Sequence, residues 1–100
     1  MNMKRDDLII VKEYCSHSNI ESYFINMLEN DGLITLEHEG NEKYLPFSEL
    51  DNVERFARLY YDLRINIEGL EAIDHLLEQI NKLQKEIKIM KNDLQFYKNL

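Results

Sequence analysis

Residues 13–42 read EYCSHSNIESYFINMLENDGLITLEHEGNE, and the order of signals inside this stretch decides the fold. Phe24, Ile25 and Leu28 share one helical face, which predicts a helix from about Glu21 to Asp31. Gly32 follows directly, where a left-handed residue commonly closes a helix. Upstream, Val11, Tyr14 and Cys15 have helical spacing, so Lys12 to Ser18 reads as a shorter helix that turns through Asn19-Ile20. Two helices across a tight turn make a helix-turn-helix candidate. Downstream, Ile34 to Glu39 and Glu42 to Leu45 alternate around Gly40-Asn41, the pattern of a β-hairpin with a two-residue turn.

Outward from this stretch, Leu8 to Val11 form a short β-type run before the first helix, and Pro46 ends the hairpin. Ser48 is expected to N-cap a third helix, with Glu49 and Asp51 in its first turn. Leu50, Val53, Phe56, Ala57, Tyr60 and Leu63 form its apolar stripe, down to about Arg64. Asn66 is expected to cap a last helix that runs from Ile67 to about Tyr97, roughly 45 Å at 1.5 Å per residue. Gly69 falls in its first turn, where a glycine costs little. The reading is therefore mostly α with a small β-hairpin. Residues 1–66 form a winged helix-turn-helix with its third helix, residues 67–100 form the long helix, and the whole is one structural domain.

The last helix carries a heptad seam without polar interruption: Ile73, Ile80, Ile87 and Leu94 at a, Leu76, Leu83, Met90 and Tyr97 at d. The part up to about Leu83 is expected to pack on the domain, and the remainder to project past it. One reading folds the helix back as an intramolecular cap. The favoured reading is a homodimer held through Ile80, Leu83, Ile87, Met90, Leu94 and Tyr97. Glu86 and Asp93 at g, with Lys91 and Lys98 at e, slightly favour a parallel pair, at a fraction of a kcal/mol per contact.

Hydrophobic residues at 44% and charged residues at 31% describe an ordinary soluble protein. A single cysteine, Cys15, forms no internal disulfide. The charged start Met1 to Asp7, followed by the short apolar run Leu8 to Val11, does not read as a signal peptide. No stretch approaches the roughly 20 apolar residues of a membrane helix, so a cytoplasmic location is expected. Chemistry finds no foothold. Cys15-x-His17 lacks the second ligand pair that a structural zinc site uses, and His38 and His75 do not supply it. There is no Gly-rich phosphate loop and no nucleophile set beside a His–acid pair. The expectation is a protein that is not an enzyme and carries no cofactor or metal.

Charge then bears on the partner. The net charge is −7, but its distribution matters more than its sum. Residues 13–42 contain no Lys or Arg and seven acids: Glu13, Glu21, Glu29, Asp31, Glu37, Glu39 and Glu42. All twelve basic residues lie outside. A helix-turn-helix that reads DNA sets its second helix in the major groove and places basic side chains on phosphates. This segment lacks those counterion-releasing contacts, so nucleic acid is not the expected partner.

The chain resembles the N-terminal domain of MerR-type regulators in its order of elements, in Tyr44-Leu45 before Ser48, and in Leu70-Glu71-Ala72-Ile73 after Arg64. It looks closer still to the CbpM-like chaperone modulators. Glu13-Tyr14-Cys15-Ser16-His17-Ser18-Asn19-Ile20 is similar to that family's Glu-aromatic-Cys-x-His-x-x-Ile opening, with Asn19 where the family usually has Gly. Ile25-Asn26-Met27-Leu28 resembles its apolar-Asn-x-apolar stretch, and Leu59 with Leu63-Arg64 before a Leu/Ile-rich helix resembles the rest. The resemblance implies a MerR-like winged helix-turn-helix that binds and inhibits the J-domain of a DnaJ-like co-chaperone. The alternative is a MerR-like DNA-binding transcriptional regulator. Charge alone selects Glu21, Glu29, Asp31, Glu37 and Glu39 as the partner-binding residues.

Overall fold

The computed structural model describes residues 7–99; the charged stretch 1–6, with Lys4 and Arg5, lies outside them, as does Leu100. The described elements run β1 (Leu8–Ile10), α1 (Val11–Ser16), α2 (Ser22–Asn30), β2 (Glu37–Glu39), β3 (Glu42–Pro46), a 3₁₀ turn (Phe47–Glu49), α3 (Leu50–Ala57), a π-helical turn (Arg58–Asp62) and α4 (Ile67–Lys98). This is the expected winged helix-turn-helix followed by a long helix, with a sheet one strand larger than the hairpin alone.

The third strand is β1. It pairs antiparallel with β3, Ile9 opposite Leu45, so the order is β1-β3-β2. A bond from the Phe47 N–H to the Asp7 carbonyl extends that ladder by one rung. The hairpin itself is shorter than its alternation suggested. Ile34 and Leu36 are buried in the core, yet the chain there is not in the sheet. Thr35 N–H donates instead to Glu49 Oε2 at 3.0 Å. Burial of alternate residues requires only an extended chain with one covered side, not a strand partner.

α1, α2, α3 and the start of α4 close over one core: Val11, Phe24, Ile25, Leu28, Ile34, Leu36, Leu45, Val53, Phe56, Ala57 and Leu70. α2 ends as expected at Gly32. Leu33 N–H reaches the Leu28 carbonyl and Gly32 N–H the Glu29 carbonyl, the two bonds of a Schellman cap, with Gly32 at φ +74°. Asn66 caps α4, its Oδ1 accepting from Gly69 N–H at 2.9 Å.

Three expectations need correction. Ser48 does not N-cap α3: it lies inside the 3₁₀ turn, and the residue at the cap position is Glu49, which makes no side-chain cap bond. The Glu49 carboxylate is engaged elsewhere, by Thr35 N–H and by Asn52 Nδ2. Leu63 is 65% exposed rather than on the buried stripe, because the helix widens to a π turn at Arg58–Asp62 and shifts the register of its faces. The chain then reverses through Arg64 in the left-handed region, φ +58°. Finally, α4 leaves the core earlier than Leu83: only Leu70 is buried, Ile73 and Leu77 are half-buried, and the helix is exposed from Glu78 onward.

Candidate interaction surface

The inward face of α2 is Phe24, Ile25 and Leu28, which leaves Ser22, Asn26 and Glu29 along a polar face beside the wing. The hairpin register sets His38 opposite Lys43, so both side chains leave the same side of the sheet and meet α2. His38 Nε2 bonds the Glu29 carboxylate. Lys43 Nζ donates to Asn26 Oδ1 at 2.9 Å and lies 3.7 Å from Glu29 Oε1. The wing is thus clamped to α2 by four polar side chains.

The five acids selected by charge do not form one surface. Glu29 is the centre of the clamp just described. Glu37 and Glu39, one residue either side of His38, leave on the opposite face of the sheet, in register with Tyr44 and Glu42. Glu21 sits at the start of α2, where its N–H donates to the Tyr61 hydroxyl at 3.3 Å and Tyr61 donates to Glu21 Oε1 at 3.4 Å. Asp31 sits at the other end of α2, bonded to Glu71 of α4. The Glu71 carboxyl is held above its ordinary range, first by loss of surrounding water and then by the charge of Asp31 and the bond to it.

Lys12, Lys43, Arg55 and Arg58 also divide. Lys12 and Lys43 line a cleft of about 220 Å³ with Ser22, Asn26 and Glu42. Arg55 and Arg58 line a different cleft, with Leu59, Asp62 and Leu63. Arg55 is further occupied within α3, where Nη2 donates to Asn52 Oδ1 at 3.0 Å and the guanidinium lies over the Phe56 ring. Lys12 and Lys43 thus share one cleft beside α2, while Arg58 also lines a third with Asn19 and Ile20 of the turn before that helix.

Of the other candidates, His17 Nδ1 lies 3.0 Å from the Glu13 carbonyl and 3.1 Å from Ser16 Oγ, a local arrangement at the end of α1. Among the described residues, no three His, Cys, Asp or Glu side chains are grouped so as to hold a metal ion. No helix of the described residues is long and apolar enough to cross a membrane. The seam residues Ile80, Leu83, Ile87, Met90, Leu94 and Tyr97 are all exposed along α4. Sequence reasoning missed Asn26, His38 and Lys43 as one cluster. The signal existed, because a two-residue turn at Gly40-Asn41 forces residue 38 opposite residue 43.

A family model described as MerR HTH family regulatory protein matches residues 9–92. No curated protein and no solved structure gives a match. The matched residues hold the two short helices, the wing, α3 and most of α4, and the chain belongs to the MerR helix-turn-helix family of regulatory proteins.

Proposed function

We propose that this regulator works without catalysis by binding a protein, and that the protein is the J-domain of a DnaJ-like co-chaperone, whose activity it restrains. The observation that supports this most is the state of the α2 face. The helix contributes no cation, and Lys43, which approaches from the wing, is held by Asn26 and faces the Glu29 carboxylate. A polyanion meets Lys12 at the edge of the cleft beside α2 and otherwise the Glu29 and Glu42 carboxylates. A basic helix, such as a J-domain presents, meets the Glu29 carboxylate on this face, while Glu21 and Asp31, at the two ends of α2, lie off it and act at longer range. Charge complementarity of this kind acts mostly on association rate and partner choice. Pull-down of J-domain proteins, quantified by calorimetry with Glu29→Lys and Asp31→Lys variants, tests it. Weakened binding by the variants supports the reading; no J-domain binding by the parent chain removes it.

The exposed α4 seam is covered, in this reading, by a second copy of the chain. Residues 67–79 hold Glu68, Glu71, Asp74 and Glu78 with no Lys or Arg, whereas residues 80–98 hold five lysines against Glu86 and Asp93. An antiparallel pair lays acidic half against basic half; a parallel pair opposes like with like. This favours the antiparallel pair, against g–e contacts that point the other way, each a fraction of a kcal/mol.

A second reading, a DNA-binding regulator, is favoured by Lys12 and Lys43 flanking Ser22 and Asn26 in one cleft. Ser22 at the start of the second helix and Asn26 one turn further along are suited to phosphates and base edges. Fluorescence anisotropy on duplex DNA at low salt separates the two. Tight, sequence-dependent binding that falls steeply with salt, and is lost in a Lys12→Ala, Lys43→Ala double variant, overturns the first reading.

A further inference from the structure

Two backbone irregularities and a group of tyrosines coincide on a surface that adjoins the polar face of α2 only at Glu21. The helix after α3 widens into the π turn Arg58–Asp62, and six residues from its start Arg64 takes a left-handed conformation (φ +58°) without being glycine. π turns and left-handed non-glycine residues both recur at functional sites, since each costs stability that a neutral position would not keep. The π turn narrows the angle between successive side chains, so Tyr60 and Tyr61 both stack on Phe24, with ring centroids 4.8 and 5.3 Å from it, and meet each other edge-on at 89°. Tyr23 of α2, 49% exposed, joins through its hydroxyl, 3.3 Å from that of Tyr60. The groove they form, with Arg64, Ile65 and Asn66, holds about 430 Å³.

Its side chains lean toward donation, the phenol oxygens being the acceptors among them. The Tyr23–Tyr60 pair uses one hydroxyl proton between them and has the other to donate. Asn66 accepts through Oδ1 in the α4 cap, which leaves its NH₂ for a ligand. The Arg64 guanidinium has no partner among the described residues and only donates. The strongest acceptor at the margin is the Glu21 carboxylate, beside Tyr61. A matching ligand offers carbonyl oxygens, few N–H groups, ridged apolar surface and one positive charge.

We infer that this groove binds a proline-rich segment of a protein partner in its extended left-handed helix, with a flanking Lys or Arg on Glu21. Such a segment has a solvated backbone, rigid apolar rings and no N–H at its prolines, and aromatic grooves with a few donors recognise it. The inference does not depend on which partner the polar face of α2 engages.

The test is an NMR titration of the full chain with a ten-residue peptide of alternating proline and apolar residues ending in arginine, beside a control with every proline changed to alanine. Saturable shifts at Tyr23, Tyr60, Tyr61, Arg64 and Asn66 with the proline peptide, and weaker binding of the control, are expected. Tyr23→Phe removes the Tyr23 hydroxyl while keeping the ring, and weakens binding roughly three- to tenfold. Glu21→Gln lowers the preference for the arginine-ended peptide over an uncharged one. Equal binding of the two peptides, shifts confined to the Ser22–Asn26–Glu29 face, or no shifts at all overturn the inference. So does saturation of the groove by a planar aromatic carboxylate while the peptide leaves it unmoved.

Discussion

The head of the molecule and its tail carry the same kind of apolar pattern, yet only the head's is buried. α2 presents Phe24, Ile25 and Leu28 at helical spacing, and all three are 0% exposed. α4 presents Ile80, Leu83, Ile87, Met90 and Leu94 at the same spacing, and the least exposed of these is 47% accessible. The difference is not in the helices but in what lies opposite. α2 meets α1, the wing and the π turn, whereas α4 leaves the core after Leu77 and is exposed from there on among the described residues. Periodicity specifies that a face exists and is silent on what covers it. In the head the cover is intramolecular; in the tail the proposal assigns it to a second copy.

The first way to sharpen the contrast is to delete matched residues on the two sides. Leu28→Ala removes a fully buried side chain and is expected to cost about 2–5 kcal/mol, read as a lower urea midpoint. Leu94→Ala removes an exposed one and should leave the denaturation of the head nearly unchanged. A comparable loss from both would place the tail seam inside the same cooperative core.

A double change, Ile87→Asp with Leu94→Asp, addresses the tail alone. Light scattering should report a monomer where the parent chain is a dimer, with association weakened at least a hundredfold and the circular dichroism of the head retained. A parent chain that is monomeric at micromolar concentration would remove the second copy. Cysteines introduced near the two ends of the seam, in a Cys15→Ser background, distinguish the orientations: end-to-opposite-end crosslinks are expected.

The junction between the two regions yields smaller effects. A Cβ on Gly69 would stand 2.5 Å from Ile65 Cγ2 and 3.2 Å from Asn66 Oδ1. Gly69→Ala is therefore expected to destabilise by about 1 kcal/mol, although alanine is the better helix former. A stabilised variant would mean that Ile65 moves aside freely. The sequence suggested only that this glycine costs little; the structure shows that a side chain there would meet Ile65.

The smallest effect is electrostatic. Glu71 has a raised pKa in the folded chain, so ionising it at neutral pH opposes folding. That opposition is present above its folded pKa, declines as pH falls through it, and is gone below the ordinary glutamate range. Glu71→Gln keeps a donor for Asp31 and should raise the melting temperature slightly at pH 7, with the gain vanishing near pH 3. A gain that persists at low pH would point to helix propensity instead of the Asp31–Glu71 contact.

Much of this architecture was legible before any coordinates. Gly32 announced the end of α2, Gly40-Asn41 the hairpin turn, and Asn66 the start of α4, because each is a local backbone demand that few residues meet. The site was far less legible. Glu21, Glu29, Asp31, Glu37 and Glu39 are consecutive acids in the chain, but the strand alternation and the two ends of α2 send them to different sides.

What the amino-acid order determined by itself was the set of elements, their ends and the absence of Lys and Arg from residues 13–42. These follow from short-range sterics, hydrogen bonding and composition. Only the tertiary structure decided that β1 completes the sheet, that Ser48 yields its cap position to Glu49, that a π turn gathers Tyr60 and Tyr61 on Phe24, and that α4 leaves the core near Leu77. Each depends on which distant surfaces meet, and packing of that kind is settled by the whole chain together, not by any window along it.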